Sequence, residues 1–269
     1  MDGRTCLSST RTILADEHRD LIGVFAHGNV LLAFDYDGTL APIAPTPETA
    51  EIRGETRELL AAVARLYPCI VISGRALDDL TRRLSGIPMW YVFGNHGLEP
   101  PRPGTAAPTL ARDWTERLRP FLPDDPGIVI EDKRYSLTIH YRLARNRAQA
   151  IAAIDRAIAH LGDVRAIGGI ESVSLLPRGG GHKGVALQQA CGWFACDSAI
   201  YVGDDDTDED AFASAKHERL LAIRVGRSEA SRARFHIPAQ ENIDTLLRIL
   251  VDLRTRREGA VHGGDRWRA

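Results

Sequence analysis

Asp35 and Asp37 stand one residue apart at the end of the apolar run Val30-Leu31-Leu32-Ala33-Phe34, with Gly38 and Thr39 directly behind them. Two ionised carboxylates beside a buried strand repel each other and lose hydration, so they persist only when protonated, hydrogen-bonded or holding a cation. Similar chemistry recurs further along. Ser73-Gly74-Arg75 follows the run Cys69-Ile70-Val71-Ile72, Lys183 follows Gly179-Gly180-Gly181-His182, and Gly203-Asp204-Asp205-Asp206-Thr207-Asp208 ends the run Ala199-Ile200-Tyr201-Val202. Carboxylates and hydroxyls without a nearby cysteine suit a hard cation, and Mg²⁺ commonly takes one or two carboxylates plus waters and a phosphate oxygen. A carboxylate with one oxygen free can then attack phosphorus, while Lys183 and amides near Ser73 neutralise the transferring oxygens. A second carboxylate can protonate the leaving oxygen and later deprotonate water. The pattern is that of a phosphoryl-transfer site.

Such groups must be brought together by the fold. Short apolar runs alternate with helix-like stretches: Val30–Phe34 precedes a helical pattern over residues 47–67, Cys69–Ser73 precedes another over residues 75–86, and the rhythm returns in residues 182–253. That is the β–α–β alternation of a parallel sheet, in which ligands sit beyond the carboxyl ends of the strands. Between the halves the pattern changes: a Pro/Gly-rich segment at residues 99–109 leads into strand-like 127–142, helix-like 147–162 and strand-like 171–177. The expected architecture is an α/β fold, a doubly wound parallel-sheet core over residues 1–100 and 179–269 with an inserted α+β cap over 101–178. Gly179, Gly180 and Gly181 read as a hinge between them, and the polar tail from Arg254 as a frayed end.

At 269 residues, 44% hydrophobic, 26% charged and with a formal charge of −2, the chain has the balance of a soluble globular protein and no electrostatic reason to bind nucleic acid or an anionic membrane. A small-molecule partner and a monomeric state are expected. The first twenty residues carry no apolar leader and no run reaches a membrane span of about 18–20 residues, which places the chain in the cytoplasm as an expectation. Cys6, Cys69, Cys191 and Cys196 do not make a disulfide framework or a C-x-x-C site.

The same residues admit other readings. Asp-x-Asp-Gly-Thr alone is equally a turn whose Asp side chains cap amides. A calcium loop begun at Asp204 needs glycine sixth and glutamate twelfth but meets Glu209 and Ala215, and a nucleotide loop at Lys183 is broken by His182 and Gly184. Asp206 and Asp210 read as solvated helix-start carboxylates, Asp208 stays open between site and helix cap, and Trp193, Phe194 and Phe212 are assigned to packing. His96 and His140 could equally be core histidines, and Arg142 and Lys133 solvated ones.

The segments "FDYDGTL", "VISGR", "HKG" and "YVGDDDTDEDAF", in that order, resemble the four signature motifs of haloacid dehalogenase (HAD) superfamily phosphatases. Within that superfamily "GNHGLE", "EDKRYSLTIHYR" and the form "GDDDTDEDAF" are similar to trehalose-6-phosphate phosphatases, over residues 30 to 250. The resemblance implies Asp35 as nucleophile, Asp37 as general acid/base, and Ser73 and Lys183 as phosphoryl ligands. It implies a Mg²⁺ site at Asp35, Asp204 and the Asp37 carbonyl, with Asp205 supporting Lys183 and the metal. Sugar would be held by some of Arg75, Asn95, His96, Glu99, Lys133, Ser136, His140 and Arg142. The chain departs from the family's E-x-[RK]-P pattern, carrying Ser174-Leu175-Leu176-Pro177 there, unless Glu171 serves by a register shift. The implied activity is hydrolysis of trehalose 6-phosphate. The alternatives are another sugar phosphate, such as sucrose 6-phosphate or a glucosyl or mannosyl 3-phosphoglycerate, or a sensor that binds without turnover.

Overall fold

The computed structural model describes residues 11–101, 109–169 and 171–263, with side chains described as far as residue 256. Cys6, most of the Pro/Gly-rich segment and the end of the polar tail lie outside the described residues.

In chain order the core begins with β1 (Arg11–Thr12), α1 (Arg19–Ala26), β2 (Val30–Phe34), α2 (Gly54–Leu66), β3 (Cys69–Ile72), α3 (Leu77–Arg83) and β4 (Tyr91–Phe93). The insert contributes α4 (Leu110–Leu118), β5 (Val129–Asp132), β6 (Leu137–His140), α5 (Arg147–Ile158), β7 (Val164–Gly169) and β8 (Ser172–Pro177). The core resumes with α6 (Lys183–Trp193), β9 (Ser198–Gly203), α7 (Glu209–Phe212), β10 (Leu220–Val225), β11 (Phe235–Ile237) and α8 (Ile243–Gly263). Seven parallel strands run in the order β1-β11-β10-β9-β2-β3-β4.

The apolar runs have a simple physical reason. All five residues of β2 are buried; Val30, Leu32 and Phe34 enter one core with α1, α2 and α8, while Leu31 and Ala33 enter a second with α6. A strand covered on both faces has no polar face to alternate. β2 pairs with β9 from Val30↔Ser198 to Phe34↔Val202, and with β3 on its other side, so Asp35, Asp204 and Ser73 leave adjacent strands at one edge of the sheet. Lys183 opens α6 and points back to the same edge.

The insert forms an antiparallel sheet in the order β5-β6-β8-β7. Leu137, Ile139 and Leu175 turn one face to Trp114, Leu118, Ile154 and Ala157 of α4 and α5. The other face meets the core, where Ile167 and Leu176 pack on Leu98.

Three elements differ from the periodicity. The helix expected over residues 47–67 starts only at Gly54; Pro47–Thr49 is a 3-10 turn, and the guanidinium of Arg83 holds the carbonyls of Pro47, Glu48 and Ala50 in a non-helical segment. The helix after Asp208 is only Glu209–Phe212, whereas α8 continues to Gly263 through part of the tail read as frayed. β7 and α4 were not legible as elements. Among the described residues no helix is long and apolar enough to cross a membrane.

Candidate active site

The backbone at the end of β2 turns back on itself: the amides of Leu40 and Ala41 donate to Tyr36 O, and that of Gly38 to Ala41 O. Gly38 has φ +74°, and a Cβ there would collide with the Asp204 carboxylate, so only glycine lets the two motifs close on each other. Asp35 is buried; the Tyr36 amide donates to its Oδ1 at 2.7 Å and Lys183 Nζ lies 2.9 Å from its Oδ2. Lys183 also donates to Asp208 Oδ1 at 2.8 Å.

Asp208 is the residue that sequence left open: it makes no cap bond to the helix it precedes and turns its carboxylate back to Lys183 and the loop before it. Its Oδ2 accepts from the amides of Asp204 and Asp205, each at 3.0 Å, while Oδ1 accepts from Lys183 and from the Tyr201 hydroxyl at 2.6 Å. Asp205, expected to support Lys183 and the metal, instead caps the turn through the Asp206 amide at 2.7 Å. Asp208 is the partner of Lys183, and the turn that folds it under the loop is the reason. Asp206 is exposed as expected, but Asp210 is not simply solvated: it pairs with Arg165 of β7 at 2.8 Å.

Among the described residues, one group of carboxylates could hold a cation: oxygens of Asp35, Asp204 and Asp208 lie within 4.8 Å of one another. Asp205 and the Asp37 carboxylate are outside it. Four donors already fill the capacity of the Asp208 carboxylate, which leaves Asp35 and Asp204 as the available hard donors. Burial raises the pKa of both, and their mutual repulsion with Asp208 adds to it. A divalent cation answers that strain, so the donor set fits Mg²⁺. Burial opposes the charge on Lys183, yet Asp208 and Asp35 outweigh it and raise its pKa. The lysine is a fixed positive charge.

Asp37 pairs with Arg75. Arg75 grips it by both oxygens, Nε to Oδ2 at 2.7 Å and Nη2 to Oδ1 at 2.6 Å, and also donates to Asp79 and to Pro47 O. Arg75, expected among the sugar ligands, therefore spends its donors on protein. Glu99 likewise accepts from the Leu77 amide at 2.8 Å and caps α3. Ser73 is buried, and its Oγ accepts from the Arg75 amide at 3.3 Å.

Of the remaining expected sugar ligands, Asn95, Lys133 and Ser136 meet where cap and core touch. Ser136 Oγ donates to Asn95 Oδ1 at 2.5 Å, Asn95 Nδ2 to Lys133 O at 3.0 Å, and Lys133 Nζ to Gly74 O at 3.1 Å. His140 Nε2 is 2.9 Å from Glu131 Oε2; burial would raise the pKa of Glu131, but His140 and Lys133 outweigh it and lower it. His96 is buried with Nδ1 unpartnered, and its pKa is held well below the usual value by burial and by Lys183, Lys133 and Arg165. Arg142 reaches the core carbonyls of Ala44 and Pro45 at 3.2 and 2.9 Å and pairs with Glu171 at 3.0 Å. Glu171 also pairs with Arg147. It directly precedes β8, and at the position of the family glutamate Ser174 Oγ lies 3.3 Å from Thr138 Oγ1. Sequence reasoning missed Tyr201, Glu131 and Thr138. Tyr201 was visible only as an apolar-run aromatic, while Glu131 and Thr138 alternate with core residues on one face of the cap sheet, a signal the merged strand reading hid.

Of the assigned bystanders, Cys69 and Cys196 are buried, Cys191 is half-buried and all three are free. Phe212 is buried against Tyr201, and Trp193, half exposed, stacks on Phe93.

The family model described as trehalose-phosphatase matches residues 33–242. The chain is 36% identical over 209 residues to the trehalose-phosphate phosphatase of Mycolicibacterium paratuberculosis, covering 71% of this chain and 53% of that protein, so it spans about half the length of the curated relatives it matches. Its fold is similar to the C-terminal domain of trehalose-6-phosphate phosphatase from C. albicans, with a TM-score of 0.73 at 20% identity over 91% of this chain and 99% of the other. It is also similar in fold to a phosphatase of the haloalkanoate (HAD) enzyme superfamily from Bacteroides thetaiotaomicron, with a TM-score of 0.60 at 16% identity over 84% and 96% of the two chains. The α/β core with an inserted α+β cap, expected from the sequence, is the fold observed.

Proposed function

Because the chain belongs to the trehalose-phosphatase family, we propose that it is a Mg²⁺-dependent phosphatase that hydrolyses trehalose 6-phosphate by way of an aspartyl phosphate on Asp35. One observation carries the chemistry: a buried Lys183 lies within 3 Å of both Asp35 and Asp208, beside Asp204, where two neighbouring parallel strands end. Binding alone does not require a buried carboxylate beside a fixed cation; phosphoryl transfer does.

In this reading an Asp35 oxygen attacks phosphorus while the bond to the sugar oxygen breaks, and that oxygen takes a proton from Asp37. Asp37, now a carboxylate, takes a proton from water, whose oxygen attacks phosphorus and returns Asp35 to its carboxylate with release of inorganic phosphate. Lys183 and Ser73 orient the phosphoryl oxygens throughout. A bound Mg²⁺, held by Asp35 and Asp204, supplies charge neutralisation to the transferring group. In this reading Asn95, His96, Lys133, Ser136, His140 and Glu131 supply the polar groups a sugar needs. The protein is proposed to work in the cytoplasm as a monomer on a small sugar phosphate.

A second reading, another sugar phosphate with the same chemistry, rests on the cap. Ser174 and Leu176 occupy the place of the family's acidic and basic pair, and Leu176 packs with Leu98 and Ile167 rather than offering a charge. Phosphate release from trehalose 6-phosphate, sucrose 6-phosphate, glucose 6-phosphate and glucosyl 3-phosphoglycerate, each with Mg²⁺ and with a chelator, separates the two. Mg²⁺-dependent release fastest from trehalose 6-phosphate is expected. Faster release from another ester discards the substrate, and no release from any of them discards the enzyme.

A further inference from the structure

Arg75 is 8% exposed and makes four hydrogen bonds from five N–H donors, two to Asp37, one to Asp79 and one to Pro47 O. Its guanidinium lies 5.2 Å from the centre of the Tyr36 ring. A guanidinium so committed has little left for a ligand. What it does control is Asp37: both carboxylate oxygens are taken by one planar fork, so the orientation of Asp37 follows that of Arg75. Pro47 O belongs to the non-helical segment after β2, and three residues earlier the same segment is gripped by the cap, through Arg142 to Ala44 O and Pro45 O. An unbroken series of contacts thus runs from the cap to Asp37.

We propose that Arg75 is a positioning residue, not a substrate ligand: it sets the orientation of Asp37 and links it, through residues 44–47 and Arg142, to the seating of the cap. The proposal rests on the phosphatase reading for the role of Asp37, though the geometric part stands without it. To meet a leaving oxygen, Asp37 must turn at least one oxygen out of the fork. With Arg142 on the 44–45 carbonyls both Asp37 oxygens remain in the fork, so in this proposal the cap contact holds the fork in place and a bound substrate draws one oxygen out of it.

The test is leaving-group dependence. In full-length protein with Mg²⁺, kcat and KM are measured for trehalose 6-phosphate and for aryl phosphates of rising leaving-group pKa, in wild type, Arg75→Gln, Asp79→Asn and Arg142→Ala. Proton donation matters most for poor leaving groups and is worth ~10²–10⁴. Arg75→Gln is expected to lower kcat for the sugar ester by about 10²-fold, to leave the best aryl leaving group within a few fold, and to leave KM unchanged. Asp79→Asn keeps the guanidinium but loosens it, and is expected to give a smaller effect of the same shape. Arg142→Ala should steepen the leaving-group dependence in wild type but add nothing to it in Arg75→Gln. A raised KM with unchanged leaving-group dependence in Arg75→Gln makes Arg75 a substrate ligand and overturns the proposal; additive effects of Arg142 and Arg75 overturn the link to the cap. A crystal structure of Arg75→Gln reads the Asp37 orientation directly. An unmoved Asp37 refutes the positioning role even if no ester is hydrolysed, an outcome that would refute the phosphatase reading separately.

Discussion

At the scale of residues, the site turns on which of several consecutive carboxylates the backbone aims inward. Residues 204–210 hold six acidic side chains, and their order alone cannot say that the 3-10 turn at Asp206–Asp208 folds Asp208 beneath its own loop. Asp208 was legible as a candidate, the order of residues did not separate it from Asp205, and Tyr201 looked like one more core residue because a buried hydroxyl is invisible until its acceptor is known. The same turn gives a prediction. Asp208→Asn breaks a buried ion pair and loosens two amides, and is expected to destabilise the fold by about 3–5 kcal/mol. Asp205→Ala removes only a turn cap and is expected to cost about 1 kcal/mol. Urea denaturation midpoints of the two variants check this, and equal losses would contradict the assignment of Asp208 as the hub.

At the scale of elements, the buried parallel strands were readable because they are apolar on both faces, whereas short elements with mixed composition were not. β7 reads Val-Arg-Ala-Ile-Gly-Gly and α4 is amphipathic but charged, so neither stands out from loop. The segment before α2 misled for a different reason: its helical spacing is real, but arginine side chains from α3 and its approach claim its carbonyls. α3 itself offers a pH test. Asp79 lies among Arg75, Arg82 and Arg83; burial would raise its pKa, but hydrogen bonds from Arg83 and Arg75 outweigh it and lower it below 3.8. A carboxylate depressed on folding contributes stability above its unfolded pKa and loses it as pH falls through the folded value. The melting temperature of wild type is therefore expected to exceed that of Asp79→Asn at pH 6 to 7, a range above about 3.9 where an unperturbed Asp is ionised, and the gap to shrink on acidification below pH 3.8. A gap independent of pH would contradict the ion-pair account.

At the scale of the whole molecule, the described contacts between cap and core include Leu98 with Ile167 and Leu176, Arg165 with Asp210, Arg142 with the 44–45 carbonyls, Ser136 with Asn95, Asn95 with Lys133 O and Lys133 with Gly74 O. The polar contacts among them exchange readily with water, which suits the lid that the proposed function calls for. That the insert is a cap was legible from the break in rhythm; which of its residues face the core was not, since strand alternation becomes visible only once the hairpin turn between β5 and β6 is placed. The central claim is that Asp35 takes the phosphoryl group. Asp37→Asn protein, in which water activation is slowed, is mixed with Mg²⁺ and an aryl phosphate, quenched in acid and digested, and the peptides are weighed. The account predicts one added phosphoryl group on the peptide that carries Asp35, lost when Asp35 is changed to Asn. Phosphate release with the added mass on another residue, or with none at all, would contradict it.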